Sequence, residues 1–234
     1  MEAVKTFRLK TLSTINLLSS SKMFTLQTRL RPMREVRDHY YRRAKAEHYR
    51  ARSVYKLIEI DQKFRLIRKG CTVLDIGCAP GSWSQYILER IGNGAVIGVD
   101  MEGSVELGDG RFTFVQVDIL DEKAPSHIAH SAGVHGSTTA FNLIVSDAAP
   151  RTTGSKFMDA QSSLRLAQAV FKIGDQMLQR GGSVVAKVFQ GEDVREFVES
   201  LKGDFGYVDL FKPKSSRSES RELYIIARNR GGKH

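Results

Sequence analysis

Cysteine is scarce in this sequence, and long apolar runs are absent. The 234 residues include only two cysteines, Cys71 and Cys78, which are too few for a disulfide framework and wrongly spaced for a metal knuckle. We therefore expect reduced thiols in an intracellular protein, and no metal site. No stretch approaches the ~18 consecutive apolar residues of a membrane span, which predicts a soluble protein. With 41% hydrophobic and 26% charged residues, the chain can build a sizeable core.

Charge is distributed unevenly along the chain, whose formal net charge is +10. Residues 71–200 carry a net charge of −6, whereas residues 1–70 and 201–234 carry +12 and +4. Basic ends of this kind attract a polyanion such as nucleic acid, because binding releases condensed counterions. The same composition also suits a solvated charged face, so charge alone leaves both interpretations open.

Residues 1–33 differ in composition from the rest of the chain. They are basic, contain many Ser and Thr residues, and resemble a weak transit peptide without a secretory apolar region. Alternatively they are an extension without function, because Met23 or Met33 could each start translation. We expect a poorly ordered extension or presequence over residues 1–33 and a single domain over residues 34–234. The expected location is the cytoplasm, or the mitochondrion if the presequence is active.

The segment 34–68 combines many cations with aromatic side chains. Its apolar positions between Val54 and Ile60 suit one face of a helix. Lys and Arg interspersed with Tyr can contact phosphates and stack on bases. In the alternative interpretation, the tyrosines pack on the core and the cations only aid solubility. The density of charge favours contact with RNA or DNA. The candidate contacts in this segment are Arg42, Arg43, Lys45, Arg50 and Arg52.

Beyond Gly70 the chain alternates between strand and helix patterns. Apolar runs predict strands at 72–76, 95–99, 112–117, 141–146, 183–189, 207–211 and 223–227. Helical patterns lie at 82–91, 159–178 and 193–201. Gly181-Gly182 is expected to end the second helix, and the Ser/His/Gly-rich stretch 126–139 is expected to form a surface loop. This alternation predicts an α/β fold in which a mostly parallel sheet is covered by helices on both faces.

The first predicted strand leads into a glycine-rich turn that runs from Gly77 to Gly81. The two glycines permit a tight turn and close approach of a ligand to the backbone, just before a helix N-terminus. The spacing departs from the Gly-x-Gly-x-x-Gly pattern of dinucleotide-binding enzymes, and a plain turn between strand and helix would look similar. The turn alone is therefore a weak signal.

Aspartates end or follow four of the predicted strands: Asp75, Asp100, Asp118 and Asp147. Asp100 lies where an acid usually binds ribose hydroxyls, and Asp118 could accept a hydrogen bond from an adenine amino group. Carboxylates repel a pyrophosphate, which disfavours a nicotinamide dehydrogenase. They suit a cationic adenosine compound such as S-adenosylmethionine, which carries a sulfonium and an ammonium group. Helix capping could explain any one of these aspartates but explains the set poorly.

Five motifs then resemble those of the FtsJ/RrmJ family of S-adenosylmethionine-dependent ribose 2′-O-methyltransferases, in the same order and over residues 36–228. The motifs are Arg50-Ala51-Arg52-Ser53-Val54-Tyr55-Lys56-Leu57, Ala79-Pro80-Gly81-Ser82-Trp83-Ser84-Gln85, Ser146-Asp147-Ala148-Ala149-Pro150, Ala186-Lys187-Val188-Phe189-Gln190-Gly191 and the stretch 212–222. The resemblance implies the Rossmann-like methyltransferase sheet of seven strands, of which the last is antiparallel. Cys78 departs from the alanine that the family often has, and residues 1–33 match nothing in it.

The resemblance also implies the functional residues and the cofactor, S-adenosylmethionine. It implies a Lys-Asp-Lys-Glu tetrad in which Lys187 is the proton acceptor or, if it stays charged, steers the hydroxyl and stabilises the developing alkoxide. The implied tetrad is Lys56, Asp147, Lys187 and Glu222. The cofactor positions, with Gly77 added from the turn, are Gly77, Gly81, Trp83, Asp100, Asp118 and Asp147. Further RNA contacts are expected from Lys212, Lys214 and Arg217.

The substrate class rests on family analogy alone. The stretch 217–227 looks more like the ribosomal members, which methylate a uridine in large-subunit (23S-type) ribosomal RNA on the assembled subunit. We therefore expect ribosomal RNA and the large ribosomal subunit as partners, no membrane, and a monomer. A methyltransferase for transfer RNA or the messenger cap is the alternative within the enzymes. A noncatalytic RNA-binding assembly factor is the alternative outside them.

Overall fold

A computed structural model of the protein describes residues 33–133 and 141–232. Residues 1–32 of the expected extension therefore lie outside the described residues. The helices are α1 (Met33–Ala46), α2 (Val54–Phe64), α3 (Ser82–Ile91), α4 (Ala124–Ser131), α5 (Lys156–Met177) and α6 (Val194–Leu201). The strands are β1 (Thr72–Ile76), β2 (Ala95–Asp100), β3 (Phe112–Gln116), β4 (Phe141–Ser146), β5 (Leu178–Phe189), β6 (Phe205–Phe211) and β7 (Glu222–Arg230).

The strands form one sheet in the order β3-β2-β1-β4-β5-β7-β6. Strands β1 to β5 pair in parallel, and β7 lies antiparallel between β5 and β6. This confirms the predicted fold class, including the antiparallel last strand. The order reverses between β1 and β4, so the carboxyl ends of these strands open a crevice of the kind in which α/β proteins bind ligands.

Two apolar layers cover the sheet, because successive side chains of a strand point to opposite faces. Val73 and Val185 face the helices α1, α2 and α3, whereas Leu74 and Val184 face α4, α5 and α6. All four of these strand side chains are fully buried. Near-continuous apolar runs in β1, β4 and β5 follow from this burial on both faces.

Two expectations about element boundaries are wrong. Residues 126–131 of the stretch expected as a loop belong to α4 (Ala124–Ser131), which has Pro125 in its first turn and buries Ile128; residues 134–139 of that stretch lie outside the described residues. Gly181-Gly182 does not end α5, because α5 ends at Met177 and the glycines lie inside β5. There the register to β4 shifts between Phe141 and Leu143, and Gly181 adopts a φ of 75° that favours glycine.

No helix in the described ranges is long and apolar enough to cross a membrane.

Candidate active site

Four ionisable side chains from four different elements meet near the carboxyl end of the sheet. Lys56 lies in the first turn of α2, Asp147 follows β4, Lys187 lies near the end of β5, and Glu222 begins β7. The β5–β7 register places Lys187 opposite Tyr224 and Phe189 opposite Glu222. Chain segments that are far apart in sequence therefore converge as the resemblance implies.

The Asp147 carboxylate connects the two lysines. Its Oδ1 lies 3.0 Å from the Lys187 Nζ and 3.6 Å from the Lys56 Nζ. The Lys56 Nζ also lies 3.0 Å from the Glu222 Oε2. The Lys187 ammonium additionally donates to the backbone carbonyl of Asp147. Lys187 is 6% exposed and Lys56 is 9% exposed, so both cations are held largely out of water by this network.

Tyr224 is a further member of this network that the sequence analysis did not assign. Its hydroxyl donates to Asp147 Oδ1 at 2.6 Å, and the ring is fully buried. Burial alone would raise the pKa of Asp147, but the charges of Lys187 and Lys56 and the Tyr224 hydrogen bond outweigh burial and lower that pKa. Strand alternation was the available signal, because Tyr224 is two residues from Glu222 and shares its face.

A cavity of about 260 Å³ lies beside this network, in the crevice between β1 and β4. Three carboxylates line it, those of Asp100, Asp118 and Asp147. A Cβ at Gly77 would lie 2.7 Å from the Ala148 Cα, and Gly77 has a φ of +73°. Only glycine therefore fits this wall, and the backbone can approach a ligand closely. An acidic cavity with a glycine wall fits a cationic adenosine compound better than a nucleotide diphosphate.

Asp100 and Asp118 are held by backbone N–H groups of the loops at the carboxyl end of the sheet. The two carboxylate oxygens of Asp100 accept from the N–H groups of Ala79 (3.0 Å) and Glu102 (3.1 Å). Asp118 Oδ1 accepts from the N–H of Leu120 at 2.9 Å. The carboxylates are therefore fixed in place while both residues line the cavity.

Two of the expected cofactor residues lie outside the lining of this cavity. Trp83 is buried between α2 and β7, where its Nε1 donates to the Ser53 carbonyl at 2.9 Å and its ring packs 5.9 Å from the Tyr224 ring. Gly81 precedes α3 with a φ of 105°, where a Cβ would lie 2.8 Å from the Val105 Cγ1. Gly81 therefore forms the turn before α3, and Trp83 packs behind it; their roles in cofactor binding stay predictions.

The expected RNA contacts divide into two groups. Arg50 donates to the carbonyls of Pro80 and Glu106, so its guanidinium braces the loops around the cavity. Arg43 pairs with Glu47 at 2.7 Å. The remaining residues, Arg42, Lys45, Arg52, Lys212, Lys214 and Arg217, are exposed or half-buried on the α1–α2 segment and the β6–β7 connection.

A basic groove of about 610 Å³ separates these two segments. Its residues are Tyr40, Arg43, Tyr55, Ile58, Glu59, Gln62, Lys63, Phe211, Lys212 and Lys214. The Glu59 carboxylate accepts from the backbone N–H groups of Lys214 (2.6 Å) and Ser215 (2.8 Å), which ties the β6–β7 connection to α2. The basic groove therefore joins the two regions that the sequence analysis selected for RNA contact.

A mixed sheet of this order, with an acidic cavity beside a buried lysine–aspartate network, defines an α/β methyltransferase. A family model described as FtsJ-like methyltransferase matches residues 49–230. The chain belongs to the FtsJ-like methyltransferase family. This confirms the enzyme class predicted from the motifs, with S-adenosylmethionine as its cofactor.

Relatives and solved structures agree with this membership. The chain is 41% identical over 205 residues to ribosomal RNA large subunit methyltransferase E of Nitratidesulfovibrio vulgaris, which covers 83% of this chain and 93% of that protein. The protein of the same name from Methanothrix thermoacetophila is 42% identical, over 83% of this chain and 73% of its own. A crystal structure described as a ribosomal RNA methyltransferase from Plasmodium falciparum has a TM-score of 0.69 and 32% identity, and the match covers 79% of this chain and 100% of that one. Human methyltransferase-like protein 13 in complex with SAH shares the fold alone, with a TM-score of 0.51 and 12% identity over 76% of this chain and 80% of that one.

Proposed function

We propose that the protein methylates the ribose 2′-hydroxyl of a uridine in large-subunit ribosomal RNA, on the assembled subunit. The observation that carries this proposal is the network of Asp147 and Glu222 with the buried Lys56 and Lys187, which lies beside the acidic cavity. The names of the relatives support ribosomal RNA as the substrate class.

Gly77, Asp100, Asp118 and Asp147 would hold the cofactor, because they line the acidic cavity. When bound, S-adenosylmethionine supplies the methyl group. The carboxylates attract its positive charges, and the glycine wall lets the backbone approach it. Gly81 and Trp83 support these residues from outside the lining.

Lys187 acts on the ribose hydroxyl. A hydroxyl is a weak nucleophile, so a base must take its proton while the geometry is held. The Asp147 carboxylate and carbonyl fix the position of the Lys187 Nζ. From there Lys187 accepts the hydroxyl proton or, in its charged form, stabilises the negative charge that develops on that oxygen. Lys56, held by Glu222, contacts the target nucleotide.

RNA would bind across the basic ends of the domain. We assign the contacts to Arg42, Arg43, Lys45, Arg52, Lys212, Lys214 and Arg217, which lie on both sides of the basic groove or near it. Arg50 is better suited to bracing the cavity loops. The RNA-binding segment over residues 34–68, the monomeric state and the cytoplasmic location stay predictions.

Tritiated-methyl transfer tests the proposed function directly. Intact large subunits, free ribosomal RNA and transfer RNA are incubated side by side with the full chain and labelled S-adenosylmethionine. We expect the large subunits to become labelled. Primer extension should then map the methyl group to the ribose of one uridine. Label in transfer RNA alone would select the alternative enzyme. Binding of RNA without binding of S-adenosylmethionine in calorimetry would select a noncatalytic assembly factor.

A further inference from the structure

A second cavity lies at the opposite end of the sheet from the tetrad. It measures about 480 Å³ and is surrounded by the amino ends of β1, β4 and β5 and by the adjoining parts of β6 and β7. Three arginines line it, Arg65, Arg68 and Arg228. We call it the cationic cavity. None of the tetrad residues contributes to it, so the proposed reaction leaves it without a role.

The cationic cavity offers hydrogen-bond donors and no carboxylate among its lining residues. The polar side chains of Asn142, Gln179 and Ser183 line the cavity together with the three guanidinium groups. Within the described part of the chain, no carboxylate forms an ion pair with any of the three arginines, and the Arg228 guanidinium lies over the Tyr207 ring, 5.8 Å from its centroid. Asp209, two residues after Tyr207 on β6, accepts from the Tyr207 hydroxyl at 3.0 Å. Guanidinium groups that no carboxylate neutralises are suited to phosphate oxygens.

The backbone of the cavity is also unusual. Arg65 and Asn229 adopt φ angles of 52° and 62°, and they are two of the three non-glycine residues with positive φ among those described. Arg65 takes this conformation as the residue that ends α2. Such conformations cost on the order of 1 kcal/mol or more each and persist where the surrounding structure requires them. Here they form part of the lining of one cavity.

A row of aromatic rings and cations connects the cationic cavity to the basic groove. Tyr207 lines the cavity and Phe211 lines the groove, and both rings pack on Phe64 of α2, at centroid distances of 6.2 Å and 5.5 Å. Lys63 lies two residues before Arg65, and its Nζ is 4.6 Å from the centroid of the Phe211 ring. The last turn of α2 and the edge strand β6 therefore carry cations and aromatic rings at both sites, and the buried Phe64 ring packs between them.

We propose that the substrate RNA continues from the tetrad along α2 and β6, and that its phosphates bind in the cationic cavity. This inference rests on the proposed function, because it extends the RNA of that same site. Along α2 the path from Lys56 to Arg65 is nine residues, or about 14 Å, which an RNA strand of a few nucleotides spans. Arg65, Arg68 and Arg228 bind phosphate oxygens, and Tyr207 offers a ring for base stacking.

The test compares RNA binding by two triple variants of the full chain. Arg65→Gln, Arg68→Gln and Arg228→Gln together remove the cavity cations. Arg165→Gln, Lys172→Gln and Arg195→Gln together remove the same charge from exposed positions on α5 and α6, across the sheet. Fluorescence anisotropy measures binding of two single-stranded RNAs that carry the same uridine, about four and about sixteen nucleotides long. Calorimetry with S-adenosylmethionine checks that each variant is folded.

For the long RNA we expect the cavity variant to bind about tenfold more weakly or worse, with the salt slope reduced by about 2. For the short RNA, and for the control variant with either RNA, we expect affinities close to those of the unmodified chain. An equal loss in both triple variants, or unchanged binding of the long RNA, would overturn the proposal. If intact large subunits, measured in parallel, bind the cavity variant more weakly while both RNAs bind it normally, the proposal is overturned in favour of a protein partner. Failure of the proposed function is a separate result, namely no methyl transfer by the unmodified chain.

Discussion

Replacement of Lys187 by Met removes the charge and the proton acceptor but keeps most of the side-chain volume. The buried Lys187 Nζ lies 3.0 Å from Asp147 Oδ1, so the change deletes one partner of a buried pair. Deleting such a partner costs about 3–5 kcal/mol when the other charge is left alone. Asp147 is not left alone, because it keeps Lys56 at 3.6 Å and the Tyr224 hydroxyl at 2.6 Å. We therefore expect a loss of about 1–3 kcal/mol in the free energy of unfolding.

The rate of methyl transfer by Lys187→Met should fall by a larger factor than its loss of unfolding free energy would explain. General base catalysis and electrostatic stabilisation each contribute about 10²–10³-fold or more, so we expect methyl transfer to drop at least to that extent. Cofactor binding should persist, because Lys187 does not line the acidic cavity. Single-turnover transfer of tritiated methyl, calorimetry and urea unfolding measure the three quantities on the same preparation.

Two matched variants make the result interpretable. Lys172→Met places the same side chain on the exposed face of α5 and should change none of the three quantities. Lys187→Arg keeps the charge but cannot release its proton, because the guanidinium stays protonated. Substantial activity in Lys187→Arg would indicate the electrostatic role rather than the base. Near-normal turnover by Lys187→Met would refute the assignment of Lys187 altogether.

Three further predictions concern the surrounding structure. Gly77→Ala forces a Cβ to within 2.7 Å of the Ala148 Cα, so calorimetry should show at least a tenfold loss of S-adenosylmethionine affinity, and unchanged binding would contradict the glycine wall. Tyr224→Phe removes the hydrogen bond to Asp147, which should raise the pKa of Asp147 and lower the unfolding free energy by about 1–2 kcal/mol; equal stability by urea unfolding would argue against that bond. Burial raises the pKa of Asp75 to about 7. The folded state then binds the proton more tightly than the unfolded state, so Asp75 lowers stability as pH rises from 4 to 7. Asp75→Asn should remove this loss. If the difference in unfolding free energy between this variant and the unmodified chain stays constant from pH 4 to pH 7, the prediction is wrong.

Much of the fold could be predicted from the sequence, because buried parallel strands produce apolar runs that few other structures share. The runs at β1, β2 and β4 match the observed strands to within a residue. Helix α4 was missed because only Ala124 and Ile128 of its residues are buried, which is too few for an apolar stripe. The start of β5 was missed because its glycines look like a helix stop, whereas the pairing with β4 keeps them in the strand.

The tetrad could be located through its motifs, but its partners could not. The sequence does not show that Tyr224 donates to Asp147 or that Arg50 binds the carbonyls of Pro80 and Glu106, since these contacts join segments many residues apart. The role of Trp83 in cofactor binding stays a prediction from its family position, and its burial against Tyr224 depends on packing that no local pattern encodes.

Asp75 and Asp147 show why residue type alone does not assign a role at these strand ends. Asp75 is buried and Asp147 is largely buried, and they lie at the carboxyl ends of the neighbouring strands β1 and β4. Burial raises the pKa of Asp75, and the Ser84 hydroxyl at 2.6 Å offsets only part of that effect. At Asp147 the two lysines reverse the effect of burial and lower the pKa. The charge of Asp147 therefore depends on cations that α2 and β5 bring to it, and in turn it holds those cations out of water beside the cofactor cavity. Removing Lys187 should move the pKa of Asp147 toward that of Asp75, which makes the lysine and the carboxylate a single functional unit.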